Sequence, residues 1–195
     1  MRKLLPILTT ILMSVTTFAP LISGAEDDID KALRGLMASE LRSKGPATLE
    51  RTMKRDEAQL ACSIPSAKLD AAAAKKIEAA QLAAVKYPTD GKFLGNWEEG
   101  EKTAQNGRGM QSSDAIGAPN GGNCYACHQI RKEEIAYGTI GPSLYQYGKL
   151  RGNSEPVLRY TWAKIYNAQA FNACSNMPRF GHQKILTEPV SYTHL

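Results

Sequence analysis

Apolar residues Ile29, Leu33, Leu36, Met37 and Leu41 recur at steps of three and four, which predicts an amphipathic helix that Lys44-Gly45-Pro46 stops. Leu49, Met53 and Leu60 predict a second, weaker helix ending before Pro65. Leu69, Ala73, Ile77, Ala80, Ala84 and Val85 mark one face of an alanine-rich third helix that Pro88 ends. Beyond the turn at Thr89-Asp90-Gly91 the composition changes. Asn96 to Gln105 reads as a short helix with Trp97, Gly100 and Ala104 along one side. The segments 106–123 and 137–153 are rich in glycine and polar residues and read as loops. Ser154-Glu155-Pro156 then opens an amphipathic helix carrying Val157, Trp162, Ile165 and Tyr166. No segment sustains a two-residue alternation, so the pattern predicts an all-α fold.

The first residues alter the domain arithmetic. Arg2-Lys3, an apolar run from Leu4 to Phe18, and the small residues Ser23-Gly24-Ala25 describe a cleaved secretory signal over residues 1–25. The run is short, broken by Pro6 and rich in threonine, which argues against a retained membrane span. Residues 26–90 then form a helical extension and 91–188 a second domain. The chain of 195 residues has a net charge of +5, and removal of 1–25 leaves it near +3. So mild an excess excludes the dense basic stripe of a nucleic-acid binder.

The chemistry concentrates in Cys124-Tyr125-Ala126-Cys127-His128. In an exported protein, C-x-x-C-H reads as attachment of a c-type haem. Both thiols add to the vinyl groups of one porphyrin, and the adjacent imidazole reaches the iron. Three other readings compete. A thioredoxin-like motif needs a strand-to-helix setting that is absent here, and zinc needs a fourth ligand. A structural disulfide leaves His128 unexplained.

A second axial ligand is expected downstream, among Met177, His182 and His194. Met177 sits in an irregular segment and is followed by Pro178, which stiffens the loop, so Met177 is the preferred ligand against the alternative of core filling. His/Met ligation raises the reduction potential and closes the iron to oxygen chemistry, which predicts electron transfer. The carbonyl of Pro142, in Gly141-Pro142-Ser143-Leu144, is a candidate acceptor for the other nitrogen of His128. Cys62 and Cys174 remain as an even pair in an oxidising compartment. An internal disulfide is expected, with two buried thiols or a bond to a partner as the alternatives. Lys149, Arg151, Lys164 and Arg179 are candidate docking cations, a solvated basic surface being the alternative.

Five blocks resemble a known family. They are 121–129 around the C-x-x-C-H motif, Gly138-Thr139-Ile140-Gly141-Pro142-Ser143-Leu144, Tyr147-Gly148-Lys149-Leu150-Arg151-Gly152, 164–170, and Ala173-Cys174-Ser175-Asn176-Met177-Pro178-Arg179-Phe180-Gly181-His182. Over residues 85–188 the chain resembles the SoxX cytochromes of sulfur oxidation, the small haem subunits of periplasmic SoxAX complexes. The resemblance implies a class I cytochrome c fold with one covalent haem c, attached at Cys124 and Cys127 and ligated by His128 and Met177. It also implies a SoxA-like haem partner in a heterodimer. That heterodimer acts as an L-cysteine S-thiosulfotransferase, joining thiosulfate to the carrier cysteine of a SoxYZ-like protein. This chain would serve there as the electron-transfer subunit without a nucleophile of its own, passing electrons to a soluble cytochrome c.

One feature departs from the family. Its members continue after Leu186-Thr187-Glu188 with a helix that packs across the first haem-domain helix, whereas here Pro189 blocks continuation. A truncated or replaced C-terminal helix and a non-native tail at 189–195 are therefore expected. Two other functions stay open from the residues alone: a freestanding periplasmic monohaem carrier, and a metal-stapled structural domain.

Overall fold

The computed structural model of the chain describes residues 23–63 and 69–186. Most of the expected leader, the stop before Pro65, and the tail with His194 lie outside them. Among the described residues the protein is all-α, as the apolar pattern requires. Its only extended pairing there is an isolated bridge between Lys44 and Ala47, in the turn where the first helix was expected to stop. No described helix is long and apolar enough to cross a membrane.

The chain divides into two compact units with the boundary after Leu41. The first holds helix α1, Ser23–Glu40, with an Asp30–Arg34 ion pair one turn apart at 2.8 Å. The second begins at Arg42 and contains most of the segment read as an extension together with everything after residue 90.

Within this second unit the expected 49–60 helix is two helices, α2 at Leu49–Met53 and α3 at Glu57–Cys62. The break has a local cause. The Asp56 side chain accepts from the Gln59 amide and the Gln59 side chain accepts from the Asp56 amide, a capping box that starts a new helix. Helix α4, Ala71–Ala83, is capped by Asp70, and α5, Trp97–Asn106, by Asn96. Helix α6, Tyr147–Arg151, forms inside the segment that reads as loop. Its glycines argue against helix locally, but Tyr147 hydroxyl pairs with Thr161 Oγ1 at 2.9 Å and docks it on α7, Glu155–Tyr166. Tertiary contact overrides propensity here.

The core centres on α7. Trp162 is 1% exposed, meets Phe93 edge-on at 6.1 Å, and donates its indole N–H to the Lys86 carbonyl at 2.8 Å. Val85, Ala163 and Ala170 complete this cluster. A second, smaller cluster joins Ala58 of α3, Ile77 of α4 and Ala173. The polar residue Asn167, fully buried, donates to Gln81 Oε1 at 2.9 Å. Helices α3 and α4 are thus packed against the segment 167–174, which precedes the loop carrying Met177.

Candidate functional site

Residues 124–126 form a single 3₁₀ turn, and the Cys124 carbonyl accepts from both Cys127 and His128 amides, at 3.1 and 2.8 Å. Helix α5 packs against this turn. Gly100 and Ala104 of α5 are buried, whereas Trp97, expected on the same covered side, is 59% exposed with the Arg131 guanidinium 5.8 Å above its ring. Gly121 and Gly122 donate to the Arg108 and Thr103 carbonyls, so the chain entering the motif is tied to the end of α5.

The segment 138–144 runs back beside the motif as a strap. Gly138, Gly141 and Leu144 amides donate to the Tyr125, Cys127 and Gln129 carbonyls at 2.8, 2.8 and 2.7 Å. A Cβ on Gly138 would collide with the Ala126 carbonyl, and one on Gly141 with the His128 ring. Glycine is required at both positions by close approach. The strap delivers the Pro142 carbonyl to His128 Nδ1 at 2.7 Å. A carbonyl only accepts, so Nδ1 carries the proton and Nε2 keeps a free lone pair in a ring held in one orientation.

Cys124 and Cys127 are free thiols. Burial, with Cys127 adding to it, pushes the Cys124 thiol up to about 11, so it is protonated at neutral pH. A redox-active C-x-x-C needs the opposite shift in its attacking thiol. Among the described residues, no three His, Cys, Asp or Glu side chains converge on a point that could hold a bare metal ion. Two free thiols beside one pre-oriented imidazole match a group that brings its own equatorial ligands and asks the protein for covalent anchors and an axial nitrogen. Ile140 in the strap and Leu150 on α6 are apolar side chains each 74% exposed.

Met177 lies on the loop after α7. A Cβ at Gly122 would stand 3.3 Å from Cys124 Sγ and 3.6 Å from the Phe180 ring, so this loop reaches the cysteine motif through Phe180. Met177 itself is half-buried and lines an open cleft of about 240 Å³ with Gln59, Gln169, Ser175 and Arg179. His128 is not part of that cleft. Gln169, 7% exposed, has among the described residues no partner for its Oε1. The rival ligand His182 lies 3.9 Å from Asp56 Oδ2. Burial, with the Arg179 charge adding to it, holds its imidazole below the usual histidine value.

Cys62 and Cys174 are joined in a disulfide across 112 residues. Arg179, expected among the docking cations, is instead 5% exposed and donates to Asp56 Oδ2 at 2.6 Å and Gln81 Oε1 at 3.1 Å. It belongs to the interior because residues 56 and 81 fold over it. Lys164 is half-buried above the Phe171 ring at 5.5 Å, while Lys149 and Arg151 remain exposed on α6. Asp56, Gln81 and Gln169 were missed by residue patterns. Only the first left a trace, the D-x-x-Q spacing of its capping box.

No family model matches the chain. It is 36% identical over 151 residues, 72% of its own length and 69% of the relative's, to an uncharacterized lipoprotein of Aquifex aeolicus. On that coverage and identity, the chain belongs to the same family as this lipoprotein.

Proposed function

We propose that the protein is an exported monohaem cytochrome c whose role is electron transfer. The observation that supports this most is the fixed imidazole: His128 has Nδ1 engaged by Pro142 and Nε2 free, directly after two unpaired cysteines. Cys124 and Cys127 are the covalent anchors, and His128 holds the iron on one side. Met177 is the second ligand, carried on the same loop as Phe180, whose ring stands against Gly122. Haem c, once attached, supplies a one-electron couple whose potential thioether ligation raises. The residues of this chain attach it, orient its imidazole and cover its faces. The relative's description as a lipoprotein agrees with export of this chain.

The finer assignment rests on the resemblance over residues 85–188. In it the protein is a SoxX-like subunit that takes electrons from a SoxA-like haem partner while thiosulfate is conjugated to a SoxYZ-like carrier. It then hands them to a soluble cytochrome c. Expression in a host with c-haem maturation, beside the neighbouring reading frames, tests both levels. Sharp reduced visible bands and a copurifying second haem protein are expected. A coloured monomer without a partner refutes the subunit role and leaves the freestanding carrier. A colourless product refutes both.

A further inference from the structure

We propose that residues 56–62 clamp the Met177 loop, with Asp56 and Cys62 acting as positioning residues for the methionine sulfur. This inference rests on the haem reading above and adds to it a control over one ligand.

Two tethers bracket Met177 from the same short element. Three residues before it, Cys174 is bonded to Cys62, the last residue of α3. Two residues after it, buried Arg179 donates to Asp56, the N-cap of α3, at 2.6 Å. Asp56 is itself held by the capping box with Gln59, and Gln59 also lines the cleft beside Met177. The element cannot shift independently, because Ala58 is 1% exposed and packed on Ile77 and Ala173.

Local bonding fixes the sulfur far less. The Met177 amide reaches only Ser175 Oγ, at 3.3 Å, and Pro178 has no amide to donate. A loop tied at both flanks samples few conformations, and releasing either flank restores the entropy that favours an open loop. Opening withdraws the thioether and leaves the iron free for an outside ligand.

The test uses the haem-loaded full chain and cyanide as the outside ligand of the ferric form. Wild type is compared with Asp56→Asn, Asp56→Glu, the double variant Cys62→Ser/Cys174→Ser, and Trp162→Phe. The last perturbs the core away from the clamp. Each broken tether is expected to speed cyanide binding about tenfold, the factor equivalent to roughly 1.4 kcal/mol, and to weaken the near-infrared sulfur–iron band. Asp56→Glu restores much of the wild-type rate, and Trp162→Phe lowers the melting temperature without moving it. If wild type shows the band and both tether variants bind cyanide within about twofold of its rate, the clamp is wrong while Met177 ligation stands. If wild type itself lacks the band, Met177 ligation and the clamp fall together.

Discussion

The two halves of the proposed iron site are built in opposite ways. The half around His128 is local: its backbone hydrogen bonds join residues 121–144 to one another or to α5 and the two residues after it, and only Phe180 meets it from afar. The half around Met177 is assembled from afar, by a disulfide spanning 112 residues and an ion pair between Asp56 and Arg179. The His128 imidazole is set by backbone and glycine. The Met177 loop is set by cross-links from a separate stretch of chain.

Cutting the distant half most deeply should have the largest effect. Cys62→Ser/Cys174→Ser releases a loop of 112 residues, worth about 5 kcal/mol by chain entropy and roughly 10–20 °C in melting temperature. Scanning calorimetry measures it, and a fall of under about 2 °C would show that the noncovalent contacts suffice. The local half is tested by Gly141→Ala. Its new methyl meets the His128 ring, which costs about 1–3 kcal/mol and displaces the Pro142 hydrogen bond. Urea unfolding gives the energy, and the Nδ1 proton resonance reports the bond.

This contrast also explains what the sequence revealed. C-x-x-C-H and Pro142 lie within twenty residues, so the pairing of His128 with the Pro142 carbonyl was legible in the sequence. Helices α1, α4, α5 and α7 were legible because each carries its own periodicity, and α4 and α5 also carry a side-chain cap. Arg179 was misread as a surface cation because nothing near it in sequence announces a buried partner 123 residues away. Helix α6 was hidden for the same reason: it depends on Tyr147 reaching Thr161 on α7. The split between α2 and α3 was readable in principle, since Asp56 and Gln59 have the spacing of a capping box.

Asp56→Asn should have a smaller effect than the disulfide variant. It strands the buried Arg179 charge with Gln81 alone, but Asp56 is 36% exposed. The loss is therefore discounted to roughly 1–2 kcal/mol, measurable by urea unfolding at neutral pH.

The smallest effect is on acid sensitivity. Burial by itself would raise the Asp56 carboxyl, but the Gln59 amide and Arg179 outweigh it and hold the group below 3.8. Its stabilisation is present above that value and is lost as pH falls through the lower folded value. His182 is held below 6.5, chiefly by burial, so folding favours its neutral form and acidification from 6.5 downward already destabilises. Stability should fall with pH in both windows. His182→Gln should flatten the upper window and Asp56→Asn the lower, and a curve unchanged by either variant would deny these groups their role.

The central claim is that iron porphyrin is bonded to the motif at 124–128. Tryptic mapping of protein matured in a host with c-haem machinery tests it most directly. The peptide Gly109–Arg131 should carry one haem through two thioether bonds, leaving no alkylatable thiol at Cys124 or Cys127. The same peptide recovered unmodified with both thiols free, or oxidised to a Cys124–Cys127 disulfide, would contradict it.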